Sequence, residues 1–195
     1  MGSHNVSSEV ELDIFKIGEM VDKAIVHLAQ DKELGKLSLQ KGVFLYLLSI
    51  SAKKNYDFNK LARMAGFEPY KLGPYSEFLY GELEQLKGYN DVSISRDKGE
   101  NEKVKSSKEV ASKYGLDKEE EEIINNIRFL IETLTPMELA FYVYFNPAID
   151  ESVRQYFTSK SEIKEKLENE KHKYVKSLKN KKVIDDEAAD MIIYG

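Results

Sequence analysis

Three groups of residues in this chain could do chemistry. Lys36, Gln40 and Lys41 are polar positions opening a segment that is otherwise apolar through Leu39, Val43, Phe44, Leu47, Leu48 and Ile50. About thirty residues later comes Tyr70-Lys71-Leu72-Gly73-Pro74-Tyr75-Ser76, with Tyr80 shortly after. Polar groups on a buried helix either cap and hydrogen-bond a neighbouring strand or form a polar edge for a partner, and the residues leave both readings open. Tyrosines beside a turn are either core-edge residues or anchors for a protein partner, since tyrosine supplies contact area at little entropic cost. The expected partner-binding set is Lys36, Gln40, Lys41, Tyr70, Lys71, Tyr75, Ser76 and Tyr80. The third group is basic. Arg96, Lys98, Lys103 and Lys105 fall in one stretch, and Lys176 and Lys179 lie in a lysine-rich run from Lys171 to Lys182 that contains no acid. Such cations could contact phosphates. The run from Lys171 to Lys182 is more simply a solvated helix face with charge near its C-terminus, where the dipole favours it.

Composition narrows the chemistry. The chain has 195 residues and no cysteine, which excludes disulfides, thiolate metal sites and cysteine nucleophiles. Its three histidines, His4, His27 and His172, are far apart in sequence, so neither a metal centre nor a cofactor is expected. The glycine-rich phosphate loops and the Gly-x-Ser-x-Gly elbow are missing, and the many carboxylates form no pair placed by context in an apolar pocket. The expectation is a protein without enzymatic activity. A net charge of -5 and a pI near 5.4 do not suit a general polyanion binder, although a local patch could still serve. No apolar run approaches the length of a membrane span. Met1 to His4 reads as an expression scar rather than a signal peptide. A reducing, cytoplasmic setting is therefore expected.

The elements that must position these groups are mostly helical. Ser8-x-x-Glu11 has capping-box spacing ahead of Ile14, Ile17, Val21, Ile25 and Leu28, which recur at helical intervals to about residue 31. Leu39 to Ile50 predicts a second helix, apolar enough to be buried on most sides. A short helix is predicted over 59–65, then an extended stretch from Phe67 to Leu72. Gly73-Pro74 reads as the turn before a helix from Ser76 to Leu86. Val92 to Ser95 and Lys103 to Lys105 alternate as strands around a turn at 97–101, which predicts a β-hairpin. Ser106-x-x-Glu109 predicts a short helix. Asp117 with Glu120, and Thr135-Pro-Met-Glu138, predict two further helix starts. Asp150 begins another helix, Ser159 to Glu162 a longer one through Leu178, and Asp185 the last.

Lys36, Gln40 and Lys41 with Val43-Phe44-Leu45-Tyr46, together with Tyr70-Lys-x-Gly-Pro-Tyr-Ser76, resemble the Lys-Leu-Gln-Lys and Gly-Pro motifs of YwgA-like proteins and the related SocA-like (Panacea) antitoxin domains. The resemblance covers roughly residues 14–115. It implies a winged-helix-like domain without known catalytic residues, and roles in toxin neutralisation, adaptor binding or regulation. Gly42 departs from it, since a bulkier apolar residue is commoner there, and the helical C-terminal half is longer than the minimal antitoxin domain. The expected fold is mainly α: a winged-helix-like domain over 5–115 with a small β-hairpin wing, and a helical half over 116–195 packed on it as one unit. The expected function is non-enzymatic binding of a protein: a toxin, a protease-delivered client or, as a homodimer, a second copy of itself. The alternative is a DNA-binding transcriptional regulator. In that reading the helix at 76–87 would enter the major groove, yet it carries Glu77, Glu82 and Glu84 against Lys87.

Overall fold

A computed structural model describes residues 13–96 and 101–194. The Ser8–Glu11 capping box, His4, and residues 97–100 of the hairpin turn, Lys98 included, lie outside the described residues. The first described helix, α1 (Ile14–Leu28), is capped by Asp13, whose carboxylate accepts the Lys16 N–H at 2.8 Å. Ile17, Met20, Val21, Ala24, Ile25 and Leu28 form its buried stripe. A two-residue strand, β1 (Leu34–Gly35), leads into α2 (Lys36–Lys54). Every residue of α2 from Leu39 to Leu47 is buried, as befits a helix with neighbours on all sides.

After α3 (Phe58–Met64) the chain makes a tight hairpin of β2 (Phe67–Tyr70) and β3 (Gly73–Ser76). This corrects the expected role of Gly73-Pro74. The turn is Lys71-Leu72, and Gly73-Pro74 begins the returning strand. Pro69 lies directly opposite Pro74. In an antiparallel ladder alternate pairs exchange no hydrogen bonds, so two prolines missing their N–H can face each other without loss.

The helix α4 (Glu77–Gly88) follows, capped by Ser76, and then β4 (Ser93–Arg96) and β5 (Glu102–Lys105). A three-stranded antiparallel sheet forms in the order β1-β5-β4. β1 is too short to have left a pattern in the sequence. The next cap falls one residue later than expected. Ser107 accepts the Val110 N–H and starts α5 (Lys108–Ala111), while Ser106 is buried and its hydroxyl donates to the Asp91 carbonyl.

The second half is helical throughout: α6 (Lys118–Thr133), α7 (Pro136–Phe145), α8 (Glu151–Thr158), α9 (Lys164–Asn169), α10 (Lys171–Asn180) and α11 (Asp186–Tyr194). The capping boxes Asp117/Glu120 and Thr135/Glu138 are both formed. The single long helix expected from Ser159 is instead two, broken at Glu170. Ser159 closes α8, and the following residues make a bend rather than a helical turn. Lys182 stands beyond the end of α10 with φ of 57°, so it does not share a helical face with Lys171 and Lys179.

The core is one cluster running from Ile17 to Ile192 through both halves. Phe44 of α2 meets Phe58, Phe67 and Phe157 edge-on at 5.3, 5.3 and 5.1 Å, joining α3, β2 and α8 to the central helix. Gly42 allows a close approach at the opposite side. A Cβ there would come within 2.9 Å of both Leu28 and Ile131, so a larger residue would push α1 and α6 off α2. Among the described residues no helix is long and apolar enough to cross a membrane.

Candidate functional site

Alternation along a strand sends successive side chains to opposite faces. On the β2–β3 hairpin the inward positions are Phe67, Pro69, Pro74 and Ser76, and the outward ones include Glu68, Tyr70 and Tyr75. Tyr70 and Tyr75 lie on a cross-strand diagonal with ring centroids 4.9 Å apart. Tyr75 in turn meets Tyr80, from the first turn of α4, at 5.7 Å. The three rings make a continuous strip. Tyr70 is 45% exposed, and Tyr75 and Tyr80 are half-buried. Lys71 hangs over Tyr70 at 5.9 Å and Lys36 over Tyr80 at 4.2 Å, so cations sit at both ends. Burial holds the Tyr75 and Tyr80 hydroxyls above their ordinary pKa, which keeps them neutral at physiological pH. Lys36 also pairs with Glu102, to which Arg96 bonds at 3.3 Å; this pairing keeps the Glu102 carboxyl below its usual range.

The strip is held from beneath by the other half of the motif pair. The Gln40 side-chain amide donates to the Ser76 carbonyl at 2.9 Å and accepts the Ser76 N–H at 3.0 Å. A side chain thus takes the place of a neighbouring strand along the inner edge of β3. The Ser76 hydroxyl donates to the Ala65 carbonyl and accepts the Leu79 N–H, so one residue closes a strand, a loop and a helix start. The Lys41 ammonium donates to the Leu72 carbonyl in the hairpin turn at 2.6 Å. It is 1% exposed and forms no ion pair among the described residues, and burial brings its pKa down to about 8.

The C-terminal half holds the same turn from its other side. The Glu162 N–H donates to the Lys71 carbonyl at 2.9 Å, and the Tyr144 hydroxyl donates to Ser161, which reaches the same carbonyl. Tyr144 packs on Gly73, where φ is +97° and a Cβ would stand 2.8 Å from the ring. Glycine is required there twice over, for its backbone conformation and for its missing side chain.

Gln40, Lys41 and Ser76, expected in the partner-binding set, are therefore interior residues whose polar groups are engaged within the fold. They are closed off from a partner, because Gln40 and Lys41 lie beneath the hairpin and Ser76 points from it into the core. Tyr70, Lys71, Tyr75 and Tyr80 come together at the surface, with Lys36 tucked behind Tyr80, its side chain 12% exposed. Glu68, opposite Tyr75 on the same face, and the supports Tyr144, Ser161 and Glu162 were not anticipated. Nothing in the sequence pairs positions so far apart.

The basic residues divide between two places. Arg96 and Lys105 are exposed on the β4–β5 hairpin, where Arg96 is tied to Glu102, and Lys103 is half-buried on β5. Lys176 and Lys179 are exposed on α10, and Lys179 pairs with Asp186. Among the described residues no hydrogen bond, ion pair or ring contact joins Arg96 or Lys105 to Lys176 or Lys179. No group of three His, Cys, Asp or Glu among them is placed to hold a metal ion. Comparison with protein-family models, with curated proteins and with solved structures gave no significant match.

Proposed function

We propose that this is a non-enzymatic protein-binding module, adaptor- or antitoxin-like, whose partner docks on the strip formed by Tyr70, Tyr75 and Tyr80. The observation that carries the reading is the strip itself: three contiguous rings, partly exposed, on a hairpin anchored from below and from the side. Interface hot spots are rigid aromatic residues that lose little entropy on binding, and a preorganised surface keeps the ordering cost low. The order α1-β1-α2-α3-β2-β3-α4-β4-β5, with β5 between β1 and β4, supports the winged-helix-like reading and the likeness to the YwgA-like and SocA-like proteins once α3 and the β2–β3 hairpin are taken as an insertion between α2 and α4. The helix that would face DNA in such a domain shows exposed Glu77 and Glu84, and its Lys87 is spent on Glu84. That charge favours a protein over a polyanion.

The test is capture from the native host with wild type and with a Tyr70→Ala/Tyr75→Ala variant of unchanged circular dichroism and melting temperature, then titration of the purified partner. Loss of the two anchors should weaken binding at least about thirty-fold, the equivalent of about 2 kcal/mol. Equal retention by both proteins sinks the tyrosine surface. Salt-sensitive binding of random duplex DNA in fluorescence anisotropy would instead favour the regulator.

A further inference from the structure

Five elements of the C-terminal half converge on a pocket of about 510 Å³, away from the tyrosine strip and within the size of small-ligand sites. One face of α8 supplies Arg154, with Glu151, Gln155 and Thr158 at helical spacing. Lys164 enters from α9 and Lys171 from the start of α10. The apolar wall is Phe145 and Pro147 after α7, faced by Met191 and Ile192 of α11.

The three cations are unusual for this chain, which is acidic overall and pairs most of its half-buried lysines. Among the described residues none of them has a carboxylate within salt-bridge distance. The Asp150 carboxyl is held below its usual range chiefly by the Ser152 hydroxyl and the backbone N–H groups it caps, Arg154 adding least, and Asp150 and Arg154 form no ion pair. The two acids of the lining, Glu151 of α8 and Glu168 of α9, form no ion pair with these cations, and Glu151 accepts a hydrogen bond from Gln155 at 2.9 Å. Nε of Arg154 is buried and has no hydrogen-bond partner among the described residues, so the fold does not offset the guanidinium charge at this atom.

The apolar wall is equally specific. Phe145 ends a stack that runs through Phe141, at 4.7 Å, to Tyr174, at 5.0 Å, and the Lys171 ammonium stands 5.5 Å from its ring centroid. Phe145 is 8% exposed and lines the pocket together with Lys171 and Arg154, so an apolar body seated there carries an attached anionic group beside both cations. Arginine's planar fork suits an oxyanion, and lysine adds a point charge.

We propose that this pocket binds a small organic anion: a phosphate or carboxylate carried on a flat apolar body. The arginine and two lysines hold the charged group, and Phe145, Met191 and Ile192 hold the body. The pocket shares Tyr144 with the support of the hairpin turn but contains none of the three tyrosines of the strip, so either site can fail without the other.

The experiment is calorimetric titration of the full chain with phenyl phosphate, benzoate and benzyl alcohol. Saturable binding of an anion is expected, at about millimolar Kd for ligands this small. Phenyl phosphate alone would assign the phosphate class and benzoate alone the carboxylate class. Arg154→Gln should weaken the binding anion at least about tenfold, in line with a lost charge-assisted hydrogen bond. Lys60→Met, on the exposed face of α3, should leave it unchanged. If Arg154→Gln melts early, Lys171→Met carries the same expectation of weaker binding. Absence of saturation for both anions overturns the proposal. So does equal binding of benzyl alcohol, or affinity unchanged in both Arg154→Gln and Lys171→Met.

Discussion

Gln40 and Lys41 show how two polar residues come to lie inside an apolar helix. Gln40 presents one amide to one backbone unit, matching donor to acceptor twice, and so substitutes for the strand that β3 lacks on its inner edge. Gln40→Ala would leave the buried N–H and carbonyl of Ser76 without partners. The expected loss is about 2–3 kcal/mol of unfolding free energy, read from urea denaturation. Gln40→Glu should not rescue it, because a carboxylate can accept the N–H but would set a second acceptor against the Ser76 carbonyl. Lys41 satisfies only one of its three donors and carries its charge away from water. With its pKa brought from 10.5 to about 8 by burial, the folded chain releases this proton before the unfolded chain does. Between those two pH values the unfolded state binds more protons, so the Lys41 contribution to stability rises with pH, by up to about 3 kcal/mol. Lys41→Met has no proton to lose. Its stability relative to wild type should be most favourable at pH 7 and fall by that amount at pH 10.5. A difference that does not change with pH would show that Lys41 is not held as a strained cation.

Between elements, the contact of α1 with α4 holds a comparable tension. Asp22 on α1 faces Glu82 on α4, with Asp91 beyond the end of α4, and Gly18 leaves the Glu82 carboxylate room over the α1 backbone, 3.8 Å from where a Cβ would stand. Asp91 is occupied by Tyr114, whose hydroxyl donates to it at 2.7 Å, and by Lys113 at 3.4 Å. One Asp22 oxygen is buried without a partner. Burial, and next the charge of Glu82, raise the Asp22 carboxyl to about 7. An acid raised in the fold prefers its proton there, so its contribution is full below pH 4 and is lost as the pH climbs to 7. Asp22→Asn should abolish that decline, gaining roughly 1–2 kcal/mol over wild type at pH 8 after allowance for solvent screening, and nothing at pH 4. Thermal melts across that range decide it; a variant less stable than wild type at both ends would mean that Asp22 makes a contact its charge is needed for. The same two elements show what was legible in the sequence. The starts of α6 and α7, each with a capping box, and the apolar stripe of α1 could be read directly, because these signals are local, although α1 is capped by Asp13 and not at Ser8 as expected. β1 has two residues and pairs with a strand some seventy positions away, and β3 begins with Gly73-Pro74, which taken alone reads as a turn. Its strand character comes from Pro69 opposite and Gln40 beside it. The tyrosines were visible as residues, but which polar neighbours join them at the surface depends on burial, which no spacing reveals.

Over the whole molecule the question is whether the two halves could exist apart. The motif pair lies entirely before residue 116, yet the surface it builds rests on groups that come after. Ile123, Ile124 and Ile127 of α6 are buried in the cluster that also holds α2, and Gly42 is small because Ile131 lies against it. Phe157 completes the ring cluster around Phe44. The hairpin turn has Glu162 and Ser161 on the Lys71 carbonyl and Tyr144 on Gly73. Without residues 116–195 the apolar side of α2 would face water, and each buried side chain exposed there costs about 1.5–3 kcal/mol. A handful of them equals the whole stability of a typical domain. Residues 1–115 alone should therefore collapse without a unique fold, giving a poorly dispersed amide NMR spectrum and no cooperative thermal transition, whereas the full chain gives both. A sharply melting 1–115 fragment would mean that the C-terminal helices are an accessory to a self-sufficient domain. The outcome expected from the packing is the other one: a central helix enclosed by both halves, and a tyrosine strip that exists only when both are present.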